Sequence, residues 1–232
     1  MKRFYFLVAG IAALLTGTIY FTQVPAVNAL TKDSVAIMAN VQEGDAEITR
    51  VGRMSFAPGG VLLVADIGSA SVVAIETGDN GPVKKLKERV NDVDKKIAAA
   101  LGTDKEGIQI IDMAVNPASG KIYVSTQRKA DGLNAIITFD ENGTLTPLNL
   151  KKARYVRVSL PVGDEKKISN ITGVEFSNGR VLAAGQSNEE FSSKIYSLPL
   201  PLTHGKSGEV YSTETYHVAH GRWETRAPIQ SF

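Results

Sequence analysis

Short apolar runs separated by Gly, Pro and Asn turns dominate the chain from about residue 48 onward. Three segments share one layout, in which a short strand ends at such a turn and a second apolar strand returns. They are "RMSFAPGGVLLVAD" from Arg53, "DMAVNPASGKIYVSTQ" from Asp112 and "GVEFSNGRVLAAGQ" from Gly173. A third strand follows each segment, at 71–77, 134–143 and 193–201. The pattern predicts repeated antiparallel units made of consecutive short strands.

The repeat recurs about every 60 residues, whereas a four-stranded β-propeller blade takes roughly 40–50. Short strands with turn signals at a fixed period are typical of such blades. We therefore predict an all-β fold of four-stranded antiparallel sheets, with about three to four propeller blades in residues 30–232. The best sequence for a fourth strand is "ARYVRVSL" at 153–160, which follows the second repeat.

Residues 82–101 account for part of the excess length. Apolar residues recur there at steps of three and four, as Val83, Leu86, Val90, Val93, Ile97 and Leu101. This spacing predicts one inserted amphipathic helix whose apolar stripe packs on a sheet, with Asp79 or Asn80 as its cap and Gly102 at its end. The alternative is a helix that binds a partner.

The first 29 residues form a separate segment. Lys2 and Arg3 precede an apolar stretch at 4–21, and Val27-Asn28-Ala29 fits a signal-peptidase site. We predict a cleaved signal peptide at 1–29 and a bacterial periplasmic or secreted protein that has no membrane contact after cleavage. The alternative is an uncleaved signal anchor in the inner membrane, because the apolar stretch approaches the roughly 20 residues that span a bilayer.

Charge and cysteine content narrow the function classes. The chain has Lys+Arg 26 and Asp+Glu 24, and since Lys2 and Arg3 belong to the N-terminal segment, the remainder is balanced. A balanced domain argues against nucleic acid as a partner, because phosphate binding needs a concentrated positive field. The absence of cysteine excludes disulfides, so the fold must rely on its core.

The stretch "GVLLVADIG" at 60–68, followed by the strand at 72–75, resembles the NHL repeat, whose pattern is an apolar "YVAD-x-G" before a second strand. Ser69-Ala70-Ser71 stands where many such repeats carry Asn-His-Arg, so we expect the polar contact made there to be lost. "SGKIYVST" at 119–126 resembles the related YVTN repeat. The resemblance implies a secreted bacterial β-propeller. We expect the chain to be the N-terminal part of a longer one, with four-bladed closure or completion by another chain as alternatives.

Polar residues at the strand ends indicate a site on one rim of the propeller. Asp66 ends a second strand of its blade, whereas Arg53, Asp112 and Asn170 precede or begin first strands, and both kinds of end meet at the same rim. Rim loops on a rigid scaffold commonly bind ligands. Asp66 is also suited to cap its own turn, and Gly68 is suited to a positive φ. Near the C-terminus, Arg222 and Trp223 form a second candidate binding cluster.

The residue types also raise two metal hypotheses. Similar six-bladed propellers include calcium-dependent lactonases of the gluconolactonase type, which hold the ion on Glu, Asn and Asp; the residue types available here are Asp112, Asn116, Asn170 and Glu175. No local motif of that family occurs in order, and alternation puts Asn170 and Glu175 on opposite faces if both lie on one extended strand. Zinc at His217 and His220 is disfavoured, because an i, i+3 pair does not share one face of a strand. We therefore expect a non-catalytic protein without a cofactor that binds an unidentified small molecule or protein at the rim. A calcium-dependent lactonase or esterase-like hydrolase is the alternative.

Overall fold

The computed structural model describes residues 36–164, 166–189, 191–213, 215–217, 221–224 and 229. Seventeen strands, one α-helix and three short 3₁₀ turns form there. The strands are β1 Met38–Ala39, β2 Gln42–Gly44, β3 Val51–Ala57, β4 Val61–Asp66, β5 Ser71–Glu76, β6 Ile108–Val115, β7 Ile122–Arg128, β8 Asn134–Phe139, β9 Leu145–Pro147, β10 Ala153–Ser159, β11 Ile168–Ser177, β12 Arg180–Ser187, β13 Ser193–Pro199, β14 Leu202–Thr203, β15 Glu209–Thr213, β16 Thr215–His217 and β17 Arg222–Glu224. The helix α1 is Val93–Ala100, and the 3₁₀ turns are Pro58–Gly60, Lys105–Gly107 and Leu150–Lys152.

Three antiparallel sheets carry the fold. The first sheet has the strand order β2-β10-β5-β4-β3, the second β6-β7-β8-β9 and the third β11-β12-β13-β15. The three predicted repeats supply β3, β6 and β11, each of which is an edge strand of its sheet. Two smaller pairs, parallel β1-β14 and antiparallel β16-β17, complete the pairing. The prediction of an all-β chain of four-stranded antiparallel sheets with one helix is confirmed.

The first sheet lies between the other two. Strand β4 is buried along its whole length, and its residues alternate between two cores. Leu63 and Ala65 belong to the core shared with the third sheet, whereas Leu62 and Val64 belong to the core shared with the second. A strand covered on both faces reads as a continuous apolar run rather than an alternating one. This packing explains the sequence "VLLVA" and stacks the sheets as propeller blades stack.

The fourth strand of the first sheet comes from a distant part of the chain. Strand β10, predicted as a fourth strand after the second repeat, pairs antiparallel with β5 of the first sheet, from Arg154–Glu76 to Ser159–Ser71. The chain thus leaves the first sheet after β5, builds the whole second sheet, and returns. Val156 and Val158 are buried in the core between the first and third sheets, which accounts for the return. The predicted fourth strand therefore exists, but it belongs to the first sheet although it follows the second repeat in the chain.

The inserted helix is shorter than predicted. It covers only Val93–Ala100, and Ile97, Ala98 and Leu101 pack against Val124 and Phe139 of the second sheet. Gly102, with a φ of 70°, follows its end, as expected. The second half of the predicted apolar stripe therefore docks on a sheet as the pattern indicates.

Residues 77–92, which we call the strap, form neither a helix nor a strand. The backbone amides of Lys84 and Lys87 donate to the carbonyl oxygens of Ser119 and Glu141, at 2.8 and 2.9 Å, so they are not available for helical hydrogen bonds. Val83 is 63% exposed and Leu86 37%. The predicted helix over 82–92 is wrong because pairing with loops of the second sheet replaces the intrahelical bonds.

Asp79 fixes the strap instead of capping a helix. Its carboxylate accepts hydrogen bonds from Ser119 Oγ at 2.6 Å, Asn116 Nδ2 at 3.0 Å and Tyr123 Oη at 3.1 Å. Burial alone would raise the pKa of Asp79, but these donors and the nearby Lys121 ammonium hold that pKa below its ordinary value. The strap is therefore anchored to the second sheet by a charged side chain as well as by its backbone.

Within the described residues, no helix is long and apolar enough to cross a membrane. The predicted signal peptide or anchor, residues 1–29, lies outside those residues. Its cleavage and the export of the chain therefore stay predictions.

Candidate functional site

The edge strands β3, β6 and β11, which we call the inner strands, border a cleft. Strand β3 of the first sheet contacts both β6 of the second sheet and β11 of the third. One pocket of this cleft has a volume of about 330 Å³. Its polar lining comes from the beginnings of the three strands and from the end of β7. The lining residues with polar side chains are Arg50, Arg53, Gln109, Gln127, Asn170 and Thr172. The pocket lies where the strand ends were predicted to form a rim site.

Arg53 and Asp112, two of the predicted site residues, are in contact. The Nη1 atom of Arg53 lies 3.2 Å from Oδ1 of Asp112, and the backbone N–H of Met54 donates to Oδ2 at 2.8 Å. The Arg53 side chain is half exposed, whereas that of Asp112 is 20% exposed. Asp112 therefore joins β6 to the backbone of β3, and it leaves most of the Arg53 guanidinium N–H groups facing the cleft.

Asn170 and Gln127 line the same pocket from β11 and β7. The Gln127 side chain makes only long contacts, with Nε2 3.3 Å from Asn134 Oδ1 and 3.4 Å from the Gly132 carbonyl oxygen. The Asn170 side chain has no hydrogen bond to any residue the structure describes, although its backbone pairs with Gln186 in the sheet. Both amides are thus available to a ligand. Asn170 was a predicted site residue.

Arg50 and Thr172 are lining residues that the sequence did not single out. Arg50 immediately precedes β3, and its Nη2 donates to the Ser169 carbonyl oxygen at 3.1 Å. Its position three residues before Arg53, at the start of the same strand, is the signal that could have found it. Thr172 sits at a register shift in β11, and its hydroxyl donates to the Ile229 carbonyl oxygen at 2.6 Å.

The cleft continues along the strands into a second pocket of about 290 Å³. It shares Arg53 and Thr172 with the first pocket and is also lined by Asp112, Met113 and Glu175. Partial desolvation raises the pKa of Glu175, and the negative charge of Asp112 raises it further. The cleft is therefore cationic at the strand starts and anionic farther along.

Asp66 is a structural residue rather than part of the cleft. Its side chain is fully buried, and its carboxylate accepts hydrogen bonds from Thr49 Oγ1, Arg50 N, Ser69 Oγ and Arg157 Nη1 at 2.7–2.9 Å. Every one of these donors lies within the protein, so no lone pair is directed at solvent. We therefore correct the expectation that Asp66 binds ligand: the carboxylate holds the chain before β3 against the turn after β4.

The polar contact expected to be lost after Asp66 is made by other groups. Arg157 reaches in from β10 and donates to the carboxylate of Asp66 and to Ser71 Oγ, at 2.7 and 2.6 Å, and also to Ser69 Oγ. Its Nη2 donates to the carbonyl oxygen of Ala46 at 2.6 Å. A guanidinium from the returning strand thus supplies the polar contacts of this turn. This cluster of Asp66 and Arg157 is a second reason why β10 joins the first sheet.

Gly68 has a different role from the one expected. Its φ is not positive; Ala70, two residues later, has a φ of 48°. A Cβ on Gly68 would lie 2.3 Å from Thr49 Oγ1. The glycine is therefore required because Thr49, which hydrogen-bonds Asp66, approaches it closely.

The pH dependence of stability should report on Asp66. Burial alone would raise the pKa of Asp66, but the hydrogen bonds from Arg157, Arg50, Ser69 and Thr49 lower it below its ordinary value of 3.8. A carboxyl whose pKa is lower in the folded than in the unfolded chain stabilises the fold above its unfolded pKa, and this stabilisation is lost as the pH falls through the folded pKa. We expect the free energy of unfolding from urea titrations to decline below about pH 4. A curve that stays flat or rises there would contradict this assignment.

The four residue types considered for calcium are not brought together. Asp112 and Glu175 line the second pocket and Asn170 the first, but Asn116 lies beyond the end of β6. Asn116 is fully buried, and both ends of its amide are engaged, by Asp79 and by the Ala118 backbone N–H. In the part of the chain described here, no group of three or more His, Asp or Glu residues is arranged to hold a metal ion.

Arg222 and Trp223 lie in β17, where they pair with His217 and Tyr216 of β16. Their side chains are outside the described part of the structure, as is His220. A binding role for Arg222 and Trp223 therefore stays a prediction.

Comparisons with known proteins leave the family open. No family model and no curated protein matches the chain. A solved structure described as "Streptogramin B lyase structure" is similar at 14% identity over 76% of this chain and 45% of that chain, with a TM-score of 0.20. The chain spans less than half the length of that protein, and a TM-score this low supports no argument about fold or activity. The architecture of this chain accordingly rests on its own strand pairing and packing.

Proposed function

We propose that the chain is an exported, non-catalytic binding protein of the NHL/YVTN-like β-propeller type, and that its ligand site is the cleft between β3, β6 and β11. The observation that carries this proposal is the first pocket. Side chains from three separate sheets converge there, and Arg53, Gln127 and Asn170 have hydrogen-bonding groups that the described residues do not use fully. Small-molecule sites are concave and combine apolar walls with a few convergent polar groups.

The walls of the pocket meet this description. Val51, Ile67, Ile110, Ile111 and Ile171 supply apolar lining beside the polar groups. A volume of about 330 Å³ falls in the range of small-ligand pockets, roughly 300–1,000 Å³. The inner strands are held by cores on both faces of the first sheet, so the site is carried by rigid elements. Rigid placement favours binding because little ordering is required when the ligand arrives.

A periplasmic or secreted location accompanies this proposal. It rests on the N-terminal sequence, with its basic start, apolar stretch and Val27-Asn28-Ala29. The fold depends on no disulfide and is held by well-packed cores on both faces of the first sheet. Such a fold is compatible with a location outside the cytoplasm. Detection of the mature N-terminus at Leu30 in an exported fraction would establish it.

The binding site is tested by titrating the isotope-labelled protein with separate classes of compound: sugars, sugar acids, amino acids, dipeptides and inorganic phosphate. We expect one class to shift the NMR signals of backbone amides at Gly52, Gln127 and Asn170. Arg53→Gln should weaken that binding about tenfold, because a charged donor is lost from the pocket. Arg89→Gln makes the same charge change at an exposed position of the strap and should leave binding unchanged. If no class shifts these signals, or if both variants bind like the original chain, the cleft is not the site.

One observation favours the alternative, a calcium-dependent hydrolase. Asp112 and Glu175 are two carboxylates from β6 and β11, the strands on either side of β3, that line one pocket, and carboxylate oxygens suit calcium. Calorimetric titration with calcium after chelation separates the two functions. Tight stoichiometric binding that is abolished by Glu175→Gln would replace the non-catalytic proposal with the hydrolase.

A further inference from the structure

Two opposite charges at the two ends of the cleft have no ionic partner among the described residues. At the strand starts, Arg50 is exposed; within the part of the chain that the structure describes, its side chain makes no ion pair and donates one hydrogen bond, to a backbone carbonyl. At the other end, Glu175 makes neither an ion pair nor a hydrogen bond within the described ranges. Most other charged groups near the cleft are already engaged, so these two side chains are the ones that a ligand would meet uncompensated.

The groups between these ends connect them. Arg53 and Thr172 line both pockets, so the two pockets form one continuous cleft. The ion pair of Arg53 with Asp112 lies where the pockets join: Arg53 lines both pockets, whereas Asp112 lines only the second. The cleft therefore changes from positive charge at the strand starts to negative charge farther along the strands.

The sign of the charges restricts the ligand. The first pocket is lined by two arginines and by no carboxylate, whereas the second adds two carboxylates, Asp112 and Glu175. A purely anionic ligand that fills the cleft would be attracted at Arg50 and repelled at Glu175. A purely cationic ligand would be repelled at Arg50 and attracted at Glu175. A ligand with one charge of each sign satisfies both ends, since complementary charge placement gives specificity.

Glu175 adds a second indication. Its pKa is raised because partial desolvation and the charge of Asp112 both disfavour the carboxylate. An ammonium group placed between these two carboxylates would relieve the repulsion and gain charge-assisted hydrogen bonds. The carboxylate of the same ligand would take the fork of N–H groups that Arg50 and Arg53 present.

From this polarity we infer that the ligand of the cleft is a zwitterion of the amino-acid or short-peptide class, with its carboxylate at Arg50 and Arg53 and its ammonium group at Asp112 and Glu175. The inference rests on the proposed function, because it specifies what the proposed site binds. The orientation is fixed by the protein's own charges, so the two ends of the ligand can be tested separately.

The experiment uses equimolar mixtures of free amino acids and of free dipeptides, together with the same mixtures acetylated at the amine or amidated at the carboxylate. Binding to the purified protein is followed by NMR at the cleft amides and quantified by calorimetry on the best single compound. We expect the free compounds to bind, and each capped form to bind about tenfold more weakly, because one charge-assisted contact is lost in each. Arg50→Gln should weaken the free and the amine-capped forms but have little effect on the carboxylate-capped form, and Glu175→Gln should show the opposite selectivity.

Arg89→Gln and Glu88→Gln are the matched controls, since both residues are exposed on the strap and make no ion pair among the described residues. Neither should change binding. If a sugar, sugar acid or phosphate shifts the cleft amides and no zwitterion does, the inference fails while the proposed site stands. If capping either end leaves affinity unchanged, the inference fails in the same way. If no compound of any class shifts those amides, the proposed function fails as well.

Discussion

Replacing Asp66 with asparagine is expected to lower the free energy of unfolding by about 3 kcal/mol. The carboxylate is fully buried and accepts from four side-chain or backbone donors, including Arg157. An asparagine keeps the shape of the side chain but loses its negative charge. Its NH₂ group can only donate hydrogen bonds, yet the groups around it are also donors. Arg157 is then left without its counter-charge in a largely buried position. Urea unfolding followed by circular dichroism measures the loss.

Two further variants separate the buried pair from a general charge effect. Asp164→Asn makes the same substitution at an exposed aspartate with no hydrogen bond or ion pair among the described residues, and its stability should match that of the original chain. Combining Asp66→Asn with Arg157→Met removes both charges, and this double variant should be more stable than the sum of the single losses predicts. The acid-induced loss of stability should also be shallower in Asp66→Asn, since the group that titrates is absent. A loss below about 1 kcal/mol in Asp66→Asn would mean that the cluster does not hold the first sheet together.

The strands themselves could be predicted because burial leaves a direct signature in the sequence. The continuous run in β4 records burial on both faces, and the Asn142-Gly143 turn, with a φ of 75° at Gly143, joins β8 to β9 as its dipeptide indicates. The partner of β10 could not be predicted in this way. Alternation in "ARYVRVS" suits an outer strand of any sheet. The choice is made by the burial of Val156 and Val158 beside the third sheet and by the ion pair of Arg157 with Asp66, two residues that are 91 positions apart in the chain.

The strap shows a second limit of sequence patterns. The spacing of Val83, Leu86 and Val90 is compatible with a helix, yet the helix begins only at Val93. Helix formation in proteins depends on tertiary packing of the apolar face. The backbone amides in the first half of this segment find partners in the loops after β6 and β8, and those partners are not visible in the local sequence.

The candidate site was predictable in part for a related reason. Arg53 and Asn170 lie near the starts of β3 and β11, and repeat geometry brings such positions to one cleft. Asp112, expected to precede or begin a strand, is instead the fifth residue of β6 and lines the cleft farther along. Asp66 also lies at a strand end on this rim. Its carboxylate, however, already accepts hydrogen bonds from a residue before β3 and from β10. Whether a rim carboxylate is free or satisfied depends on these distant donors, so position in the repeat identifies the rim without identifying which of its residues can bind.

Replacing Gly120 with alanine is expected to destabilise the protein by about 2–3 kcal/mol and to release the strap. Gly120 has a φ of 78°, which costs an alanine about 1 kcal/mol. A Cβ there would also lie 2.1 Å from the carbonyl oxygen of Lys84, which is backbone and cannot move aside alone. The strap must shift, and the hydrogen bond from Lys84 N to the Ser119 carbonyl oxygen is then lost. Urea unfolding measures the first effect.

Limited trypsin digestion measures the second effect, because the strap contains the sequence "KKLKER" at 84–89. While the strap is fixed at Lys84 and Lys87, these bonds should be cut slowly, and in Gly120→Ala cleavage should accelerate more than about tenfold, since proteolysis follows local opening. Gly132→Ala is the matched control: its φ is 71°, but a Cβ there meets nothing within 4 Å. It should lose about 1 kcal/mol and keep slow cleavage of the strap. Equal behaviour of the two variants would show that the contact between Gly120 and Lys84 does not hold the strap, and that the cost in both comes from the left-handed backbone alone.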